Sequence, residues 1–582
     1  MKSFLLTIFL VALFGIQPVS SLAQNSTHKS NSEKKWWKEA IVYQIYPRSF
    51  KDTDGDGIGD LKGIISKLDY IKSLGVTAVW LNPIYSSPND DNGYDVSDYR
   101  DIMKDFGTMA DFDALLKGLH VRGIKLIMDL VVNHSSDEHR WFKQSRSSRN
   151  SKYRNYYHWW PAEKGKPAPR YSLFDVIHDA WRYDSLTNAY YLHYFSRKQP
   201  DLNWENPRLR KEVYDIMKFW ANKGIDGFRL DAFQFAAKDT SWPAFPTGYE
   251  KNFSLYYAVA PHLHDYLREM NKEVFSKYNV MSVAEGAGNS FKDAHDLVDA
   301  DRKELNMAYA FDGVDIGNTR GYSLLRFKEV FSRWDSVFAS KGWLSIFLAN
   351  HDQARMVSRF GNDSPVFRDR SSKMLTTFIM TMRGTPYYYN GDELAMTNTS
   401  FKSVADFRDM ANMNEYQHVK VTGGDTSIFF DNARRNTRDN GRTPFQWDNT
   451  TNAGFSNGTP WINVNPNYTT LNAEAQEKDP HSTLNFFRKV VLLRKKYPTL
   501  VYGKYKLLDK ANPTVYAYLR EGEGHQLLIV LNFSAGKSIA ETGINLSKAK
   551  LLISNYDNAS LKIKGKTAIE LDPYEATVFS LN

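Results

Sequence analysis

The stretch GFRLDAF, residues 227–233, decides how this chain reads. It is a short, largely apolar run that closes on an acid, Asp231. In a strand, side chains two apart point the same way, so Arg229 and Asp231 share one side. Three other stretches have the same build: KLIMDLVVNH (125–134), VMSVAEG (280–286) and IFLANHD (346–352). Each reads as a buried strand that ends on polar residues. Together the four deliver Asp231, Glu285 and Asp352. A (β/α)8 barrel gathers acids at one mouth in this way, from the ends of strands far apart in sequence.

The rest of the chain agrees with that frame. Strand candidates lie at 41–46, 77–82, 126–132, 227–232, 280–284, 307–311, 344–348 and 386–389. Helical patterns lie between them, at 61–74, 110–121, 207–222 and 261–278. Repeated strand–helix alternation predicts a parallel sheet of α/β class, and eight repeats predict closure into a TIM barrel. Residues 135–200, rich in Tyr, Trp and charge, are too many for a simple connection and read as a small inserted domain after strand three. Beyond about residue 505 the pattern changes to short β-like runs, 514–519, 526–532 and 577–581, separated by turns. They predict a C-terminal antiparallel β domain. The expected organisation is a barrel over 36–134 and 201–504, an insert over 135–200 and a β domain over 505–582.

Composition narrows the class. The 582 residues include 14 Trp and 34 Tyr, enough for a large core and for rings that stack on apolar sugar faces. The net charge of +9 is dispersed, with no dense basic block beyond Lys34–Lys35. It reads as a solvated surface, so no nucleic-acid partner is expected. Lys2 precedes an apolar run, residues 4–16, too short to span a bilayer. Ser21, Leu22 and Ala23 then offer a cleavage site, so residues 1–23 are expected to be a signal peptide. Export to the periplasm or beyond is expected, without stable membrane insertion. There is no cysteine, hence no disulfide and no lipid anchor on one. A monomer is expected.

The acids read unequally. A guanidinium beside Asp231 favours its ionised form, and an ionised Asp at a barrel mouth can attack an anomeric carbon. Glu285 follows a wholly apolar strand and stands between Ala284 and Gly286. Such surroundings raise an acid's pKa and suit a proton donor. Two acids of this kind are the requirement for retaining glycoside hydrolysis. Taken singly, each has a plain structural reading as an ion pair or a buried acid. Their conjunction on strands three, four, five and seven points to catalysis. Asp129, inside its strand, reads as a structural partner of Arg229. His134 has no second histidine at zinc-ligand spacing.

DTDGDGIGD, residues 52–60, follows the first strand. Asp52, Asp54, Asp56, the carbonyl of Ile58 and Asp60 match the first five ligand positions of a calcium loop. Gly63 stands where an EF-hand would carry Glu, and a strand precedes the loop. A structural calcium ion is expected, with no catalytic role.

Jointly, these motifs resemble the α-amylase family of glycoside hydrolases, family 13. DLVVNH, GFRLDA, the Glu of VAEG and NHD are similar to its four signature regions. QPDLNW (199–204) is similar to a fifth, in the form that marks the oligo-1,6-glucosidase and α-glucosidase branch. SPNDDNGYD (87–95), RTPFQWD (442–448) and NAGFSNGTPWINVNPNY (452–468) resemble the same branch. The resemblance runs from residue 36 to 582. It implies Asp231 as nucleophile, Glu285 as general acid/base and Asp352 as transition-state stabiliser, with Arg229 holding Asp231. It implies that His134, His351, Asp91, Tyr94 and Arg442 hold the non-reducing glucose of a small oligosaccharide. Asp91 and Arg442 would close the pocket behind one sugar and make the enzyme exo-acting. It places the loop ion on Asp52, Asp54, Asp56, Ile58 and Asp60.

Two departures bear on linkage. Ala232 stands where isomaltose-preferring members carry Val, and EGAG replaces EMPG around the proton donor. Both favour an α-glucosidase acting on α-1,4 over α-1,6 bonds. The alternatives are an oligo-1,6-glucosidase, or a sucrose isomerase or transglucosidase of the same family. The isomerases carry an Arg-Leu-Asp-Arg-Asp loop where this chain reads DIGNTRGY (315–322). A non-catalytic relative resembling transporter heavy chains would have lost the acids and gained a membrane span.

Overall fold

A computed structural model of the protein describes residues 34–318, 321–557 and 562–582. The expected signal peptide, residues 1–23, lies outside them.

Eight strands form the central sheet: Val42–Ile45, Ala78–Leu81, Lys125–Val131, Gly227–Asp231, Met281–Ala284, Met307–Ala308, Ser345–Ile346 and Thr385–Tyr389. Each overlaps one of the eight read from sequence. Strands one to six pair in sequence order, the first also pairs with the eighth, and the eighth with the seventh. Every pairing is parallel. A lone parallel bridge between Ala308 and Leu344 joins strands six and seven and closes the barrel.

Strands covered on both faces read as near-continuous apolar runs, and side-chain alternation then sorts them. Val42, Ala78, Trp80, Ile127, Met281, Val283, Met307 and Tyr387 fill the barrel interior. Their neighbours Tyr43, Val79, Leu126, Phe228, Leu230 and Tyr388 pack outward in the main core. The same period carries Asp129, two residues after Ile127, and Arg229 and Asp231 onto the inner side. Arg229 lies opposite Asp129 on strand three and Val283 on strand five. Two helical expectations are modified. The 61–74 pattern breaks into Leu61–Ser66 and Leu68–Ser73, and the 261–278 pattern becomes Leu263–Met270 continued by a wider turn, Asn271–Phe275.

Between strand three and the helix Pro207–Lys223 lies a three-stranded antiparallel sheet, with Ala189–Leu192 between Trp159–Pro161 and Trp181–Asp184. Its two ends are tied together where it leaves the barrel. The Leu202 amide donates to the Asn133 carbonyl at 2.9 Å, and the Ser135 amide to the Pro200 carbonyl at 3.2 Å. A buried ion pair, Lys238 to Asp201 at 3.2 Å, pins the same junction to the loop after strand four.

The C-terminal region holds a five-stranded antiparallel sheet of Lys504–Leu508, Val515–Gly522, His525–Asn532, Ala576–Ser580 and Lys550–Ser554. A smaller sheet of Ser538–Glu541, Ala568–Leu571 and Ile563–Lys564 faces it across a core that includes Val515, Leu528, Ala540, Leu571 and Phe579. Among the described residues, no helix is long and apolar enough to cross a membrane.

Candidate active site

At the carboxyl end of the barrel, Arg229 is the hub. Its guanidinium is fully buried and contacts three carboxylates: Asp231 at 2.5 Å, Glu285 at 2.6 Å and Asp129 at 3.1 Å. Period-two alternation explains the Asp231 contact. Parallel register explains Asp129, and strand five brings Glu285. The amide of Ala232 also donates to Glu285 Oε2 at 2.9 Å, so the residue after Asp231 holds the other acid.

This arrangement revises the expected electrostatics. Glu285 does not stand among apolar groups alone, because Arg229 serves it as well as Asp231. Burial pushes the Asp231 carboxyl up. Arg229 pulls against that, while Glu285 and Asp129 add to the rise. Burial likewise raises Asp129, to about 7, against the pull of Arg229 and a hydrogen bond from Tyr94. Burial and mutual repulsion thus push Asp231 and Asp129 up against the pull of one shared cation.

Strand seven supplies the second group. The Gln44 carboxamide nitrogen lies 2.9 Å from His351 Nδ1. That leaves Nε2 to carry the ring proton, 2.7 Å from the Tyr94 hydroxyl and 3.1 Å from Asp352. The Tyr94 and His351 rings stack with centroids 5.2 Å apart. Burial holds His351 neutral, its pKa brought down to about 3. Burial works against ionisation of Asp352, but His351, Arg438 and Arg442 together hold its carboxyl well below the usual range. His134 is also kept neutral by burial, at about 3, and its Nε2 lies 3.1 Å from the Tyr94 carbonyl oxygen.

These groups wall a narrow pocket of ≈ 70 Å³, lined by Asp91, Tyr94, His134, Phe174, Phe195, Asp231, Ala232, Glu285, Asp352 and Arg438. A larger cleft of ≈ 1020 Å³ contains none of these acids; size alone does not locate the site.

The alpha-amylase catalytic-domain family profile matches residues 44–503. The oligo-1,6-glucosidase of Parageobacillus thermoglucosidasius is 48% identical over 564 residues, covering 94% of this chain and 99% of that one. The alpha-glucosidase of Pediococcus pentosaceus is 45% identical over 564 residues, with 94% and 99% covered. Among solved structures, the isomaltulose synthase SmuA from Protaminobacter rubrum superposes with a TM-score of 0.91 at 42% identity, covering 94% and 100%.

The chain belongs to the alpha-amylase family. It is a glycoside hydrolase of that family, and the geometry assigns places to the residues read from sequence. Asp91, Tyr94, His134, Ala232 and the three acids all line one pocket. His351 and Arg229 lie directly behind it. Arg442 does not line it. Arg442 is buried at 1% exposure, donating to the His351 carbonyl and to Asp352, both at 3.1 Å.

Arg438 takes the place beside Asp91, at 3.3 Å, and also reaches Asp352 at 3.1 Å and Asp409 at 2.5 Å. Sequence reasoning missed Arg438 and Asp409. The RDNGR spacing was the available signal, since it puts two arginines one helical turn apart. Phe174 and Phe195 of the insert were missed as well. So was Gln199, whose carboxamide nitrogen lies 3.2 Å from both Asp91 and His134. Gln199 heads the QPDLNW motif, which was the signal for it, whereas no short motif marks Phe174 or Phe195.

Ala232 has φ +44, in the left-handed region, and is 5% exposed. A β-branched residue there is a genuine outlier, whereas Ala is tolerated at lower cost.

In the loop after strand one, carboxylate oxygens of Asp52, Asp54 and Asp60 lie within 4.8 Å of one another. That donor set fits a hard divalent cation. Asp56 does not join them; its carboxylate accepts the Ile58 amide at 2.7 Å. The loop acids are also less uncompensated than their spacing implies. Asp52 accepts three loop amides, and Asp60 caps the helix Leu61–Ser66 by accepting from Gly63.

Proposed function

We propose that this enzyme is an exo-acting, retaining α-glucosidase. It releases glucose from the non-reducing end of short α-gluco-oligosaccharides, and it favours α-1,4 over α-1,6 bonds. The observation that carries this is the single guanidinium, behind the pocket, that contacts both Asp231 and Glu285. Such sharing supports the short carboxyl separation of retaining enzymes, ~5 Å, over the 6.5–9.5 Å of inverting ones. Asp231 attacks the anomeric carbon while Glu285 gives its proton to the leaving oxygen. Water, deprotonated by Glu285, then displaces Asp231 and restores both acids. Asp352, held ionised, stabilises positive charge at the anomeric centre. Asp91 and Arg438 grip the far hydroxyls of the glucose.

The small Ala232 beside the nucleophile supports the α-1,4 preference. Maltose should be cleaved faster than isomaltose, and α-glucose should appear first by NMR. Initial β-glucose would sink the retaining mechanism, and faster turnover of isomaltose would sink the linkage assignment. The likeness to an isomaltulose synthase favours one second reading, glucosyl transfer within the site. Isomaltulose or trehalulose made from sucrose would establish it in place of hydrolysis.

The proposal includes a structural calcium held by Asp52, Asp54 and Asp60, which would neutralise the loop acids and brace the start of the barrel. A chelator should lower the thermal midpoint, with calcium restoring it. It also includes export directed by residues 1–23, and a monomeric state.

A further inference from the structure

His351 sits behind the pocket among three aromatic rings. Tyr94 stacks on it at 5.2 Å, Tyr46 lies near-parallel at 6.2 Å and Trp80 meets it edge-on at 5.9 Å. The rings fix where the imidazole lies. They do not fix which nitrogen carries its proton, because hydrogen bonds decide that. The choice has a consequence, since Nε2 is the nitrogen 3.1 Å from Asp352. A neutral imidazole with its proton on Nε2 donates to that carboxylate. With its proton on Nδ1 it turns a lone pair toward the same negative charge.

Two buried amides settle the choice. Gln44 on strand one and Asn82 just past strand two are 2% and 1% exposed. Gln44 lies opposite Trp80 in parallel register, and Asn82 follows Trp80 by two residues, so both amides share the inner side. Backbone bonds hold each in place. The Asn82 amide donates to the Ile45 carbonyl at 3.2 Å, and the Asn390 amide to the Gln44 carbonyl at 3.0 Å. The direction of the network is set at Asp129. Its carboxylate, held by Arg229, accepts the Tyr94 hydroxyl proton at 3.0 Å. The Tyr94 oxygen then has only lone pairs left, and it accepts from Asn82 Nδ2 at 2.8 Å. Asn82 therefore turns Oδ1 toward Gln44, whose Nε2 donates to it at 2.9 Å. The second hydrogen on Gln44 Nε2 points to His351 Nδ1, also at 2.9 Å. Nδ1 accepts, and the ring proton goes to Nε2, between the Tyr94 oxygen at 2.7 Å and Asp352.

We propose that Gln44 and Asn82 are positioning residues for the reaction: together they fix the Nε2–H tautomer of His351, so that a neutral donor holds Asp352 and no second positive charge is brought to the anomeric centre. Neither amide lines the pocket. Both act through His351. This rests on the reading of Asp352 as the group that stabilises charge there.

The test combines nitrogen-15 histidine NMR, which separates a protonated from a bare ring nitrogen, with maltose kinetics. The His351 signals are assigned by their loss in His351→Gln. In the unmodified enzyme Nδ1 is bare and Nε2 protonated. In Gln44→Glu the new carboxylate only accepts, so Nδ1 acquires a proton. There kcat falls about 10- to 100-fold, the worth of one hydrogen bond to a charged group. KM moves less than about threefold, because the lost interaction acts on the transition state. Gln44→Leu gives a similar fall in kcat with mixed tautomers. Asn82→Asp keeps an acceptor for Gln44 and so keeps Nδ1 bare, whereas Asn82→Leu does not. A merely structural role for the amides would lower stability without moving the ring proton. The inference is overturned by a proton on Nδ1 in the unmodified enzyme, or by a kcat within about threefold of the original in both Gln44 variants. Full activity in Asp352→Asn would instead overturn the reading of Asp352, and this inference with it.

Discussion

Replacing Arg229 by Leu removes the cation that Asp129, Asp231 and Glu285 share. All four side chains are largely out of water, so the loss is not screened. Breaking a buried pair from one side costs about 3–5 kcal/mol. The cost has a ceiling, because a stranded carboxylate can take a proton instead. Protonating an ordinary Asp costs about 4 kcal/mol at pH 7 and about 1.5 kcal/mol at pH 5.

The sign follows from linkage. The variant binds at least one more proton when folded than the unmodified protein does, so its deficit is largest at high pH. The deficit shrinks by about 2.5 kcal/mol between pH 7 and pH 5 for one extra proton. Urea unfolding of both proteins at pH 5, 6 and 7 reads this directly. Activity should fall by about 10²–10³ in kcat/KM, since a preorganised charge beside the reacting centre is lost. Parallel stability curves, with the same deficit at pH 5 and pH 7, would refute the shared-cation account. So would a kcat/KM within a few-fold of the original.

Other perturbations separate the remaining roles. Arg438→Lys keeps the charge but loses the two-pronged hold on Asp409. It should raise KM for maltose about tenfold or more, whereas Arg442→Lys, one layer below, should first lower the thermal midpoint. Ala232→Val forces a β-branched residue to φ +44. It should cost about 1–3 kcal/mol in urea unfolding and lower the maltose-to-isomaltose rate ratio; an unchanged ratio would remove Ala232 from the linkage argument. His139 is held neutral by burial, at about 3, while it caps the helix Arg140–Ser147. Its folded pKa is depressed, so its contribution is complete above pH 6.5 and fades as pH falls toward 3. His139→Gln should therefore reduce the stability lost between pH 7 and pH 5 by about 2 kcal/mol.

Much of the scaffold was legible because short-range periodicity carries it. Each of the eight strands overlaps its sequence-derived candidate, since a strand buried on both faces must be apolar along its length. Arg229 beside Asp231 was legible for the same reason, two residues apart on one strand. The closure of the barrel was expected from the eight repeats, but how little chain makes it was not legible. It rests on two-residue strands and on the single Ala308–Leu344 bridge, too little chain to leave a pattern. The pairing of Arg438 with Asp91 spans 347 residues and was equally invisible.

The sequence by itself determined the barrel, the strand ends that bear Asp231, Glu285 and Asp352, and the family to which they belong. Alternation and motif spacing are properties of neighbouring residues. Only the tertiary structure decided that one guanidinium serves both Asp231 and Glu285, and that Arg438 rather than Arg442 faces the pocket. Those outcomes depend on which distant segments meet and how much water they exclude. Electrostatics in a buried site follows from that packing, not from the order of residues along the chain.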